Sequence, residues 1–161
     1  MKTKILILLI IVFVITCQIS LLYAFEISPS QPVKGDVVKI SGTCTPGSSV
    51  SVTLDFSRNV EVVDGKYEYD VGTIEIPTTA TLSVRAENVK DMTLGRRILF
   101  WFTFKKEATN GVASYSRTLG EGKYTLKVFG DALEGATEVK LTFTAKASIP
   151  CSENGDFEYS Y

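Results

Sequence analysis

The chain contains no histidine. That removes the Ser-His-Asp and Cys-His pairs with which many hydrolases activate a nucleophile, and it removes a principal zinc ligand. There are three cysteines and a single tryptophan. No segment reads as a P-loop, a GxGxxG turn or a GxSxG elbow, so no local phosphate cradle or nucleophile elbow is encoded. Gly120-Glu121-Gly122 is too short for a cradle and reads as a tight turn before a strand. Asn59, Asn88, Asn110 and Asn154 all lack a hydroxyl residue two places on, so N-glycosylation is not expected. Neither sign of charge dominates: 17 Lys and Arg stand against 18 Asp and Glu. Without Lys2 and Lys4 the balance is 15 − 18 = −3. No basic face for nucleic acid follows from that, and nothing implies a cofactor or a metal.

The chain has one long apolar run. Lys2 and Lys4 precede ILILLIIVFVIT, and the segment Met1–Ala24 reads as a secretory signal, with Ala24 as cleavage residue and Leu22 two places before it. Ile5–Phe25 also spans about 20 residues, enough for a membrane-crossing helix. The segment is therefore a cleaved signal or an uncleaved membrane anchor. Both readings export the remainder, to the extracellular side or the cell surface. Cys17, with Thr16 before it and apolar residues after it, reads as part of this segment and not as a lipid acceptor.

Behind that segment the sequence half-repeats itself. DVVKISGTCTPGSSVSVTLDF (Asp36–Phe56) recurs as YTLKVFGDALEGATEVKLTFTA (Tyr124–Ala145). Ile40, Gly42 and Gly47 fall on Val128, Gly130 and Gly135, 88 residues on. Gly65, Tyr67 and Tyr69 fall on Gly155, Phe157 and Tyr159, 90 residues on. A repeat of this size has the scale of a β-domain, larger than a solenoid unit. The expected organisation is a complete β-sandwich module over 25–108 and a second, truncated one over 109–161, opening at Asn110-Gly111. An incomplete module leaves a bare strand edge, which invites a strand-exchange dimer.

Nearly every segment after the N-terminal run alternates at period two and is rich in Val, Ile, Thr, Tyr and Phe. Strands are predicted near 26–28, 37–41, 49–56, 60–63, 67–71 (running on toward 76), 81–86 and 97–105. The second stretch supplies GVASYSR, KYTLKVF, EVKLTFTA and NGDFEYSY. Pro46-Gly47, Asp64-Gly65 and Asn154-Gly155 supply turn chemistry, the last two suited to hairpins. The predicted core is Ile40, Val50, Val52, Leu54, Leu82, Val84 and Phe102. The predicted class is all-β, an immunoglobulin-like antiparallel sandwich.

The phrases GDVVKISGTCTPGSSVSVTL, VDGKYEYDVGTIEIP, LSVRAENVKD and GEGKYTLKVFGDALEGATEVKLTFTA, with NGDFEYSY, resemble the immunoglobulin-like repeats of large archaeal cell-surface proteins, those of methanogens especially. They are also similar to bacterial surface immunoglobulin-like domains. The resemblance covers roughly residues 26–161 and rests on glycines, turns and alternating apolar positions. It implies surface-layer structure, adhesion or spacing of other domains. Partners would then be other cell-surface or surface-layer proteins, or polysaccharide.

Four groups of residues are candidates for chemistry. Glu68 and Asp70 share one strand face, about 6.8 Å apart, a spacing compatible with a glycosidase pair. The simpler reading turns Tyr67 and Tyr69 inward and both acids to water. Glu61, Asp64 and Asp70 lack the dense Asp-x-Asp spacing of a calcium loop, and Ser152–Asp156 reads as a turn. RRILFWFTFKK (Arg96–Lys106) is apolar on both strand faces, with Leu99, Trp101 and Thr103 on one and Ile98, Phe100, Phe102 and Phe104 on the other. Leu99, Trp101 and Thr103 are thus a candidate interaction surface, either covered within the protein or presented to carbohydrate or protein. Cys44 and Cys151 are a candidate disulfide. Cys44 aligns with Ala132 and Cys151 with the neighbourhood of Glu61, so such a bond must cross between the two repeats.

Overall fold

A computed structural model describes residues 25–31, 33, 36–97 and 101–161, with Trp101 described through its backbone alone. The expected signal or anchor and Cys17 lie outside the described residues. The described residues form eleven strands and no helix: β1 Phe25–Ser28, β2 Lys39–Thr43, β3 Ser49–Glu61, β4 Lys66–Ile76, β5 Ala80–Glu87, β6 Asp91–Arg97, β7 Trp101–Glu107, β8 Val112–Leu119, β9 Gly122–Asp131, β10 Glu138–Pro150 and β11 Asp156–Ser160. They make three antiparallel sheets, ordered β3-β10-β5-β8, β4-β9-β6-β7 and β1-β2-β11. The arrangement is all-β and consistent with a sandwich. One core cluster draws Val84, Leu141 and Phe143 from the first sheet and Tyr67, Met92 and Val128 from the second. The other draws on all three sheets, through Ile40, Val52, Leu82, Leu126, Ile149 and Tyr159.

The two repeats are not separate modules. The strands that carry the first copy of the repeat pair with those that carry the second: β2 with β11, β3 with β10, β4 with β9. The registers obey a pseudo-two-fold. Ile40 faces Tyr159 and Gly42 faces Phe157. Moved to their repeat equivalents, these become Val128 facing Tyr69 and Gly130 facing Tyr67, as observed. β3 and β10 are both 13 residues long and pair along their whole length, so each residue of β3 has its equivalent 89 residues on. The ion pair Lys39–Glu158 (2.8 Å) recurs as Lys127–Glu68 (2.7 Å). The expected division at 108/109 therefore fails, because hydrogen bonding joins the two stretches strand by strand. Asn110-Gly111, read as a module boundary, is a tight turn with positive φ at both residues (53° and 77°). Asn tolerates that conformation and Gly adopts it without cost from a Cβ.

Three further expectations change. The predicted strands 49–56 and 60–63 are one strand, β3. The predicted strand 97–105 is two, because Arg97 pairs with Trp101 across the β6–β7 hairpin. β6 itself was not predicted, yet Asp91–Gly95 are all buried. Among the predicted core residues Ile40, Val52, Leu82 and Val84 are buried and Val50 and Leu54 half-buried, whereas Phe102 is 48% exposed on β7. Among the described residues β7 is an edge strand, so Phe102 has no neighbouring strand on its outer side.

Candidate functional site

The pseudo-two-fold breaks in the strands that flank the repeat, and that break makes an apolar groove. β10 is flanked by β3 on one side and β5 on the other. Its equivalent β3 is flanked by β10 alone, and no strand among the described residues lies on its outer edge. Likewise β9 carries β6 on the side opposite β4, while the equivalent β2 carries the four-residue β1 opposite β11. β6 places Leu94 opposite Val128, and β1 places Ile27 opposite the equivalent Ile40. Leu94 is 5% exposed, but Ile27 is 42% exposed. Between β1 and the free edge of β3 lies a groove of about 530 Å³, lined by Phe25, Ile27, Ile40, Val52, Leu54 and Phe157. A second apolar recess of about 570 Å³ continues from it past Leu54 and Phe56.

A polar recess of about 460 Å³ lies at the other end, around Asp91, Lys66, Lys105 and Asp131. Asp91 opens β6 and is buried. Its carboxylate meets Lys105 Nζ at 3.0 Å and accepts the Asp131 backbone N–H at 3.2 Å. Its carbonyl accepts the Tyr67 hydroxyl at 3.0 Å. Gly130 leaves room for this contact, since a Cβ there would sit 2.5 Å from the Asp91 carbonyl oxygen. Lys66 pairs with Asp131 at 2.8 Å, which raises the lysine pKa and lowers that of the carboxyl through the hydrogen bond they share. A hydrogen bond to Asp91 likewise raises Lys105. Burial pushes the Tyr67 hydroxyl well above the ordinary phenol range. The cluster is thus a set of ion pairs and a buried hydrogen bond that hold β4, β6, β7 and β9 together.

The residues singled out from sequence are dispersed. Glu68 is exposed and held by Lys127, and Asp70 accepts the Gly72 N–H at 2.8 Å inside a β-bulge. Tyr67 is buried and Tyr69 half-buried, as alternation requires. Glu61 lies at the end of β3 and Asp64 in the turn after it, where Asp64 takes positive φ beside Gly65. Thr103 is exposed on β7 opposite Gly95, and Trp101 lies on the same strand opposite Arg97. Leu99 falls outside the described residues.

Cys44 and Cys151 are joined as a disulfide, with their Cα atoms 6.1 Å apart. The bond crosses between the repeats, which the interleaved pairing brings together at this point. The Cys44 N–H donates to the Gly155 carbonyl, and the Cys151 N–H to the Ser48 carbonyl. At the opposite end the equivalent pair is Ala132 and Val62. The Ala132 N–H donates to the Gly65 carbonyl and the Val62 N–H to the Thr137 carbonyl. One end carries a covalent bond where the other carries Ala132 in a core cluster with Val62 packed against that cluster.

Sequence reasoning missed the apolar groove, the recess that continues from it and the polar recess. The groove left no signal in the sequence, because the repeat makes the β3 and β10 edges alike. Asp91 gave no local signal, because Lys90-Asp91 reads as a solvated pair. No protein-family model and no curated protein matches the chain.

Proposed function

We propose that the chain is a non-catalytic, exported cell-surface protein whose immunoglobulin-like β-sandwich acts as a structural or adhesive element. The observation that carries this reading is the disulfide at the crossing of two interleaved repeats. Disulfides persist in oxidising compartments outside the cytosol. The N-terminal apolar segment supports the same address, as a cleaved signal or as a membrane anchor. Facing antiparallel sheets joined by tight turns support the immunoglobulin-like part of the reading. The acids Glu68, Asp91 and Asp131 are engaged by lysines, which favours a structural role over general acid and base work. Expected partners are other surface or surface-layer proteins. Surface biotinylation of intact producing cells tests the reading. Labelling of the chain together with an oxidised Cys44–Cys151 peptide is expected. A chain shielded from the reagent and carrying free thiols contradicts it.

A second reading has support from one observation: β7 is an edge strand carrying exposed Phe102 and Thr103 beside Trp101. That fits a module binding carbohydrate or protein. A glycan array with wild type and Trp101→Ala separates the two. Binding lost in the variant supports this second reading, and no binding by wild type removes its carbohydrate form.

A further inference from the structure

We infer that the groove between β1 and the free edge of β3 is an acceptor site for one extended β-strand supplied by a partner protein other than a second copy of this chain. The inference goes beyond the surface-module reading and does not depend on export. Its warrant is the pseudo-two-fold, which says what covers this surface where it is covered. On β10 the equivalent edge, Lys140–Ala147, is paired antiparallel with β5. Carried back 89 residues, that edge is Ser51–Arg58 of β3. β5 turns Ala80, Leu82, Val84 and Ala86 into the core, all of them buried, and leaves Arg85 in solvent. Among the described residues the groove beside β3 stands open at the place where such side chains go, with Ile27 and Phe25 as its outer wall.

The occupant is therefore specified chemically. It is an extended segment of about eight residues without proline, running antiparallel to β3, with small or branched aliphatic side chains at every second position. Main-chain hydrogen bonds to the β3 edge supply affinity for any strand, and the alternating apolar chains supply selectivity. β3 has features of an edge kept available for pairing: it is long, and it carries no proline between Ser49 and Glu61.

The test uses the full chain and a fluorescent peptide with the sequence of Thr78–Asn88, the segment that includes β5. Saturable binding is expected, with slowed amide exchange at Ser49–Glu61. Ile27→Glu puts a carboxylate on the groove wall at an already exposed position, so the fold should survive. It should weaken binding about tenfold or more, since tenfold corresponds to only about 1.4 kcal/mol. Lys106→Glu, on the remote β7, should leave binding unchanged. A peptide of the same composition with its period-two pattern broken should bind about tenfold more weakly or worse. The inference is overturned by no binding, by equal binding of the broken-pattern peptide, or by binding indifferent to Ile27→Glu. Protection at β8 and β10 in place of β3 would mean that the peptide replaces the internal β5, and would also overturn it. So would a chain already dimeric through β3, with that edge protected before peptide is added.

Discussion

β10 and β3 descend from the same stretch of repeat and have the same length, yet they live in different surroundings. On β10, Val139, Leu141 and Phe143 are buried. Their equivalents on β3 are Val50, Val52 and Leu54, of which only Val52 is buried. The next core-side position on β3, Phe56, is 48% exposed. The alternation is the same in both strands. What differs is the neighbour: β5 and the sheet behind it close over β10, whereas β3 is an edge among the described residues. Period-two patterning thus says which face of a strand is apolar, and the strand order says whether that face is covered.

The comparison breaks first at the core. Phe143→Ala should cost about 3–5 kcal/mol. Leu54→Ala, at the equivalent half-buried position, should cost less, about 1–2 kcal/mol. Urea denaturation of both variants measures the gap, and equal losses would mean that the two strands are equally covered.

Next come the two ends. Replacing both Cys44 and Cys151 by Ala should cost about 2–5 kcal/mol, because the bond closes a long loop between the repeats. At the other end, Val62→Cys with Ala132→Cys should form a second disulfide on oxidation, since the flanking hydrogen bonds match. Thiol titration reads the outcome, and persistently free thiols would limit the pseudo-two-fold to the strands.

A smaller effect belongs to Tyr67, whose repeat equivalent Phe157 has no hydroxyl. β6 brings the Asp91 carbonyl to Tyr67. Tyr67→Phe should cost about 0.5–1.5 kcal/mol, measured by denaturant titration near neutral pH.

The raised pKa values of Tyr67, Lys66 and Lys105 give a sign. Groups whose folded pKa lies above the unfolded one favour the protonated folded state. Their contribution is complete below about pH 10 and declines as pH rises through the folded values. Melting temperature should therefore fall above about pH 10, less steeply in Tyr67→Phe. Asp131, lowered by Lys66, acts at the other limb. Its contribution is present above the unfolded carboxyl pKa and fades in stronger acid, and it is small because the pair is exposed. The smallest effect is Phe102→Ser, within about 0.5 kcal/mol for an exposed edge position.

The strand class was legible, because alternation and Gly-containing turns are local. Ile40, Val52, Leu82 and Val84 were placed inside for that reason, and Asp64-Gly65 was placed in a hairpin. Strand pairing was not legible, because a repeat suggests two similar modules whether its units stand side by side or thread through each other. Only the hydrogen-bond register separates these, through pairs such as Ile40–Tyr159 and Val128–Tyr69. The hairpin between Arg97 and Trp101 was missed because RRILFWFTFKK contains no Gly, Pro, Asn or Asp to signal a turn. Asp91 was missed because its carboxylate meets Lys105 across the β6–β7 hairpin, itself missed, and the Asp131 N–H on β9, distant in sequence. The groove was invisible for the same reason as the pairing, since it is the difference between two edges that the sequence makes alike.

Residues 25–108 produced alone test the interleaving most directly. That stretch holds β1–β7 but lacks β9, β10 and β11, the partners of β4, β3 and β2. The interleaved fold predicts no cooperative urea transition and no native β-sheet signal by circular dichroism, with both restored on adding 109–161. A monomeric 25–108 that unfolds cooperatively with full β-content would contradict it, and would restore the two-module organisation.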